Sequence, residues 1–474
     1  MGSLSDLEAG DQKPTQIHSP QESDSEETCL KPIESSARDL STWRKCLILF
    51  IVSWMTLGVT FSSTSLLPAI PEIASEFSTS SEILNVINSG VLIAMGLSSF
   101  IWDPITKIFG QKVAYNAAIV VLCGCSAGTA LSINLHMFIA MRILSGFTGT
   151  FFMVAGNTII ADIYEPVVRG TAIGVMMVGS VSGPAIGPCI GGIIVTFSHW
   201  RIIYWLQCGM SALGLILSIL FIPVLEKMTE TKEPIKASFV LHMFNPLRIL
   251  RPFIYPNVFL CHLTCGLLST FQYALLTSVR TIFNPRFNLT SPLVSGLFYL
   301  SPGMGFLIGS VMGGKLSDRA VIKWIRKRNG VRLPQDRLNS GLATLFAVLP
   351  ASTLIYSWTL QEGVGGMAVP IIAAFSAGIG LLGSFNGLNT YSAEVMPHIR
   401  SEVISGKYLV QYLFAAGSTA AVEPLIGVIG VGWTFTICVF FAIIGGVNVF
   451  IITRWGLEMQ RWVERKLDIK PTTN

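Results

Sequence analysis

Residues 174–192 read GVMMVGSVSGPAIGPCIGG, six glycines and two prolines set into an apolar run. In water such a run makes a poor helix, because each interior Gly costs about 1 kcal/mol and each interior Pro about 3 kcal/mol relative to Ala. In lipid the same residues acquire a use. Gly179, Gly183, Gly187 and Gly191 recur every four residues and form one bare stripe along a helix, and small residues on such a stripe let another helix approach closely. Pro184 and Pro188 bend the segment at a cost that neighbouring helices offset. The stretch is expected to be a bent, close-packed seam between two halves of a membrane protein.

Composition supports that environment. Of 474 residues, 51% are hydrophobic and 12% are charged, against roughly 25% charged in a soluble domain. One soluble core cannot hide that excess. Apolar runs near the roughly 20 residues that a bilayer crossing needs recur at 46–68, 84–103, 112–132, 137–161, 171–196, 202–224, 253–279, 293–314, 338–359, 366–389, 403–427 and 432–454. They predict an all-α membrane protein of twelve transmembrane helices, numbered here as spans 1 to 12.

The expected organisation is a disordered acidic cytoplasmic tail at 1–43, a six-helix bundle at 44–224, a cytoplasmic linker with an amphipathic helix at 225–252, a second six-helix bundle at 253–455 and a cytoplasmic tail at 456–474. The first tail carries nine acids against Lys13, Lys31 and Arg38. It has no apolar stretch behind a basic start, so it does not read as a cleavable signal peptide. Its SPQESDSEE serines are candidate phosphorylation sites in what is otherwise a solubilising tail. The linker stretch FVLHMFNPLRIL is expected on the inner membrane surface.

Basic residues in short loops stay on the cytoplasmic side. With both termini inside, only Arg201, Arg280 and Arg286 of the 32 Lys and Arg fall at the outer side, and Arg142 lies within a span. The net charge of +5 therefore reflects topology and attraction to anionic lipid, and no nucleic-acid partner is implied. The nine cysteines lie mostly within spans, as small apolar groups. No disulfide framework or zinc spacing follows from them. Asn288-Leu289-Thr290 matches a glycosylation sequon on the outer side but crowds span 8, so occupancy is not expected.

The two halves repeat. ADIYEPVVRG follows span 4 and AEVMPHIRS follows span 10, each with an acid (Asp162, Glu394) before Pro-x-x-Arg ending in Arg169 and Arg400. Trp200 precedes span 6 and Trp433 precedes span 12, while WDPITKIFGQK ends span 2 and GGKLSDRAVIK ends span 8. Three pairs in order favour duplication of a six-helix unit, and transporters built from repeats keep their substrate site between them.

On these residues the chain resembles the major facilitator superfamily, and within it the twelve-helix drug/proton antiporter branch found in fungi, over about residues 44–455. Gly174, Gly183, Gly187, Pro188, Gly191 and Gly192 match the branch's antiporter motif, KLSDR (Lys315 to Arg319, with Asp318) its loop signature in the second half, and RILSGFTG its span 4 signature. The stretches SWMTLGVTFSSTSLLPAIPEIASEF and SGPAIGPCIGG are also similar to fungal exporters of small carboxylic acids, itaconate among them. The resemblance implies that span 5 seals the inward-leaking route and favours export. The first half departs from the pattern: it reads DPITKIFGQK, with Lys107 in the usual acid's place, Asp103 displaced and Gly110 retained. The gating contact usually assigned to that acid is in doubt here.

Within the spans, Arg142 lies about 8 Å in along the helix axis, where a charge needs a cavity or a partner. It suits an anionic substrate, proton coupling through a neighbouring acid, or holding helices together. His262 and Glu423 are the candidate proton carriers. Lys407 sits at the inner start of span 11, and span 1 has no acid. A cavity for lipophilic cations would offer a carboxylate, whereas one for carboxylates would offer Arg, His, Asn and hydroxyls; the sequence leans to the second. Candidate wall groups are Ser62, Thr64, Asn85, Asn88, Asn157, Gln272, Asn386, Asn389 and Gln411, each equally able to make an interhelical hydrogen bond.

The reading is a proton-coupled secondary active exporter of a small metabolite, an organic acid such as itaconate or a secondary metabolite, working as a monomer in the plasma membrane. A broad-specificity drug or toxin pump, a nutrient facilitator and a non-transporting sensor remain as rivals. No enzyme is implied: Gly406-Lys407 is followed by Tyr408, so there is no phosphate-binding loop, and no HExxH, GxSxG, metal or cofactor motif occurs.

Overall fold

Residues 40–164, 166–223, 244–287 and 292–467 are described by the computed structural model, and among them the chain is helix and turn without a strand. Most of the tail and linker expectations, with the Asn288 sequon and the Arg169 side chain, lie outside those residues. Span 1 is Thr42–Thr64, span 2 Ser81–Phe109, span 3 Gln111–Ala130, and span 4 the pair Leu135–Gly146 and Gly149–Ile163. Span 5 is Pro166–Phe197 and span 6 Arg201–Phe221; span 7 is Pro256–Ser278, span 8 Leu300–Lys327, span 9 centres on Leu349–Glu362, and span 10 is Ala368–Glu394. Spans 11 and 12 form one stretch, Arg400–Lys466, broken at Gly430 with φ 81° and ψ 170°. Only Gly adopts that conformation without strain, and it falls inside the expected gap between 427 and 432.

Helix ends depart from the apolar runs where the chain leaves lipid. Span 2 continues to Phe109 rather than 103, and span 8 to Lys327 rather than 314, with a separate short helix at Pro292–Phe298 before it. A hydropathy window sees only the lipid-facing turns. Helical turns carrying Lys315, Asp318, Arg319 and Lys323 continue into water because their backbone bonds are internal. Gly110 has φ 86° and makes the tight corner between spans 2 and 3.

Packing shows the repeat. Span 1 packs on span 5 and span 7 on span 11; span 2 packs on span 4 and span 8 on span 10; span 3 packs on span 6 and span 9 on span 12. Between bundles, span 2 meets span 11 and span 5 meets span 8. Every pairing recurs when six is added to each number, as two copies of one unit demand.

The glycine stripe has a different partner from the expected one. Gly179 faces the Ser53 carbonyl, Gly183 faces Thr60, Gly187 faces Thr64 and Gly191 faces the Ser65 carbonyl, all on or at the end of span 1 in the same bundle. A side-chain carbon at Gly187 would sit 2.8 Å from Thr64 Oγ1, and one at Gly179, Gly183 or Gly191 would overlap. Thr64 also donates its hydroxyl to the Gly183 carbonyl at 3.1 Å. The seam between halves lies on a neighbouring face of span 5, where Ala185 meets Gly303, and where Pro188, Cys189 and Gly192 meet Gly296. A one-dimensional stripe records that a close neighbour exists but not which helix it is.

Candidate functional site

Between the bundles, spans 1, 4, 5, 7, 8, 10 and 11 enclose a cavity. Its polar wall is Thr60, Ser63, Ser180, Gln272, Ser310, Asn386, Asn389, Lys407 and Gln411, joined by the phenols Tyr273, Tyr408 and Tyr412. Met153, Met177, Val181, Pro184, Leu382 and Phe385 make the apolar remainder. Among the described residues, no Asp or Glu lines it. The cavity is narrow, about 60 Å³, whereas sites that engulf drug-sized ligands hold roughly 300–1,000 Å³. A ligand of that size does not fit the cavity as it stands.

Among the described residues, Lys407 is the one charge in the cavity wall. It stands seven residues beyond Arg400, about 10 Å along the helix at 1.5 Å per residue, and is 2% exposed. Its ammonium donates to Asn389 Oδ1 at 2.7 Å and lies 3.5 Å from the centroid of the Tyr408 ring. No carboxylate pairs with it among the described residues. Helical spacing aims this group inward: Lys407, Tyr408 and Gln411 fall within four residues, so one face of span 11 brings them together.

Of the sequence-derived candidates, the cavity gathers Gln272, Asn386, Asn389 and Gln411. Asn386 donates to the Ser310 carbonyl, and Gln411 Oε1 is buried without a partner. Asn157 instead bonds back to the Met153 carbonyl at 2.8 Å on its own helix. Arg142 is 1% exposed and is not part of the cavity wall. Its Nη1 donates to Ser62 O at 3.0 Å and Ser62 Oγ at 3.2 Å, and its Nη2 to Asn88 Oδ1 at 3.1 Å. The guanidinium lies 5.6 Å from the Tyr204 ring. It thus joins spans 1, 2, 4 and 6 through neutral partners. His262 is also outside the cavity: it is fully buried against Phe253, ring centroids 5.1 Å apart, with both ring nitrogens unpartnered.

Other polar and ionisable groups join the two bundles on the outer and inner sides. At the outer end, Asn85 of span 2 donates to the Glu423 carboxylate of span 11, a bond between bundles. At the inner end, Lys107 pairs with Asp103 at 2.7 Å and Glu402 at 3.3 Å, Ser401 donates to Asp103 at 3.2 Å, and Arg248 of the linker reaches Glu402 at 3.4 Å. Lys107 in the usual acid's place is accommodated because acids occupy the positions around it. In the second half, Arg337 pairs with Asp318 at 2.8 Å and lies 3.4 Å from Glu394, which Arg332 meets at 2.8 Å. That cluster stays within its own bundle. Arg400 donates to the Ala393 carbonyl at 2.8 Å, and Arg319 is exposed. Asp162 is half-buried at the end of span 4.

Sequence reasoning placed Lys407 at a helix start and passed over the tyrosines. The available signal is a Lys one turn inside the apolar run 403–427, with no acid one turn away.

A family model described as Major Facilitator Superfamily matches residues 52–420. "Efflux pump radE" of Floropilus chiversii is 26% identical over 427 residues, covering 85% of this chain and 78% of that protein. "Uncharacterized transporter mfc1" of Schizosaccharomyces pombe is 25% identical, covering 86% and 88% respectively. "MFS antiporter QDR3" of Candida albicans is 22% identical, covering 90% and 80%. Among solved structures, the human organic anion transporter MFSD10 (TETRAN) superposes with a TM-score of 0.63 at 14% identity, covering 85% of this chain and 99% of that one.

Proposed function

The chain belongs to the Major Facilitator Superfamily, and from that premise we propose that it is a proton-coupled exporter of a small metabolite, an organic acid such as itaconate or a secondary metabolite. The observation that carries the reading is the polar cavity between two bundles, with an ammonium, amides and phenols in its wall and no carboxylate among the described residues. Such a wall favours anions and disfavours lipophilic cations. The protein works as a monomer in the plasma membrane with both termini cytoplasmic, an orientation that the Lys and Arg bias supports.

Alternating access then means that the bundles rock about the cavity. The inner cluster of Asp103, Lys107 and Glu402 and the outer pair Asn85–Glu423 close its two ends in turn. Asp162, Asp318, Glu394 and Arg400 brace the inner loops of the bundles. Glu423 takes a proton from outside, which releases Asn85, and His262 serves as a second carrier from within the bundle. Arg142 holds spans 1, 2, 4 and 6 in the arrangement that shapes the cavity. The span 5 glycines fix that helix to span 1, so the two move as one body.

The names of the efflux pump and the antiporter among the relatives favour a second reading, a broad-specificity drug or toxin pump. Inside-out vesicles separate the two. With the lumen acidified, an organic-acid exporter accumulates labelled itaconate or benzoate against its gradient, and collapsing the pH difference stops it. Accumulation of cationic dyes with no response to organic acids establishes the pump instead, and flux indifferent to pH rejects proton coupling.

A further inference from the structure

The cavity's charge count points to a narrower class of substrate. We infer that the central site takes an amphipathic monoanion, one carboxylate or equivalent charge on an apolar body, and discriminates against dianions and organic cations. The inference rests on the proposal that this cavity is the transport site and deepens it by naming what the site selects.

Three observations converge. The only charged side chain in the wall is Lys407, 2% exposed and without an acidic partner among the described residues. Its contacts, the Asn389 carbonyl oxygen at 2.7 Å and the Tyr408 ring at 3.5 Å, orient the ammonium without neutralising it. An unneutralised ammonium at depth in a membrane protein is costly, and one bound carboxylate removes that cost. Next, Gln411 Oε1 is buried with no partner one turn along the same helix face, beside Tyr412. An amide in that position turns to offer its N–H₂, or accepts from a substrate hydroxyl or a protonated acid. Finally, the apolar part of the lining is Met153, Met177, Val181, Pro184, Leu382 and Phe385, which offers contact to hydrocarbon and nothing to a second charge.

The selection follows from electrostatics. A second carboxylate would enter a low-dielectric space holding no second cation, and a buried charge left unpaired is strongly unfavourable. A diacid, itaconate included, therefore binds only as its singly protonated form. An organic cation would face Lys407 itself, with no carboxylate in the wall to offset the repulsion.

The test uses the full chain purified in detergent with no proton gradient, reading saturable shifts in its unfolding midpoint at constant ionic strength and pH 7.5. Expected are stabilisation by benzoate and by hexanoate, little from methyl benzoate, and at least roughly tenfold weaker apparent affinity for succinate and tetraphenylphosphonium, a difference of about 1.4 kcal/mol. Lys407→Gln loses the benzoate response by a similar factor while remaining monodisperse and helical, and Lys407→Arg keeps most of it. If Lys407→Gln does not fold, Asn389→Ala and the ligand series on the unmodified chain decide. Stabilisation by succinate equal to that by benzoate, stabilisation by tetraphenylphosphonium alone, or a Lys407→Gln protein that binds benzoate unchanged overturns the inference. Because binding is read without a gradient, benzoate binding with no pH-driven flux leaves the monoanion site standing and removes proton coupling. Proton-driven flux of other solutes without benzoate binding does the reverse.

Discussion

Thr64 of span 1 donates its hydroxyl to the Gly183 carbonyl of span 5 at 3.1 Å, a distance reached only because Gly183 carries no side chain. The first bundle is built around that approach: Gly179, Gly183, Gly187 and Gly191 hold span 5 close to span 1, while Ala185 faces Gly303 of span 8 and Cys189 faces Gly296 of the short helix before it.

Gly183→Val tests that approach. Its side chain would overlap Thr60, and overpacking of this kind costs typically about 1–3 kcal/mol. Expected are a lowered unfolding midpoint in detergent and loss of transport. Gly174→Val is the control, because nothing lies within 4 Å of a carbon added there, and it should leave both unchanged. Equal tolerance at the two positions would remove the close-approach account.

Arg142 separates a structural from a ligand-binding part. Its guanidinium serves Ser62 and Asn88 at 3.0–3.2 Å, and each buried acceptor left unpaired costs about 1–3 kcal/mol. Arg142→Ala is expected to lower the unfolding midpoint of the substrate-free protein as well as abolish transport. Arg142→Lys should recover stability only in part, since one ammonium cannot reproduce a planar fork. An unaltered midpoint in Arg142→Ala would instead mark the residue as a substrate contact.

How much of this was legible in the sequence varies with the kind of information involved. Apolar length and Lys/Arg bias are one-dimensional, so the twelve spans, and even the break that falls at Gly430, could be read directly. The glycine stripe predicted a close contact, yet assigned it to the seam between halves, because periodicity names a face and not the helix opposite. Gln272, Asn386 and Gln411 were recognised as polar groups in apolar runs and do meet in the cavity. Arg142 and His262 satisfied the same rule and are buried elsewhere. Lys407 was masked by its nearness to the inner boundary, where a Lys ordinarily snorkels to water. Only the inward rotation of span 11 turns it into the cavity.

The inner cluster predicts a charge-reversal phenotype. Lys107 pairs with Glu402 across the bundles at 3.3 Å, with side chains 28% and 14% exposed, so the pair contributes at most about 1 kcal/mol after screening. Lys107→Glu places a third acid beside Asp103 and Glu402. It should reduce the transport rate and raise the sensitivity of transport to ionic strength. Adding Glu402→Lys should recover a substantial part of the rate. A double variant no better than the worse single one would show that the two residues do not act on one another.

The outer pair gives the most direct test of rocking bundles. Asn85 and Glu423 lie on spans 2 and 11 and join the halves by one hydrogen bond, so a covalent link there must hold that end shut if the halves separate during each cycle. The chain carrying both Asn85→Cys and Glu423→Cys is expected to transport until a mild oxidant is added, to stop once the new disulfide forms, and to resume after dithiothreitol. The eight described native cysteines are all free, so each single substitution in the same background controls for pairing with them. Glu423→Gln provides a softer version: the amide retains an acceptor for Asn85 but cannot take up a proton. It is therefore expected to abolish the pH dependence of flux while leaving exchange of substrate between the two sides measurable. Transport that continues undiminished through the oxidised link would exclude separation at this end and, with it, alternating access by two rigid bundles.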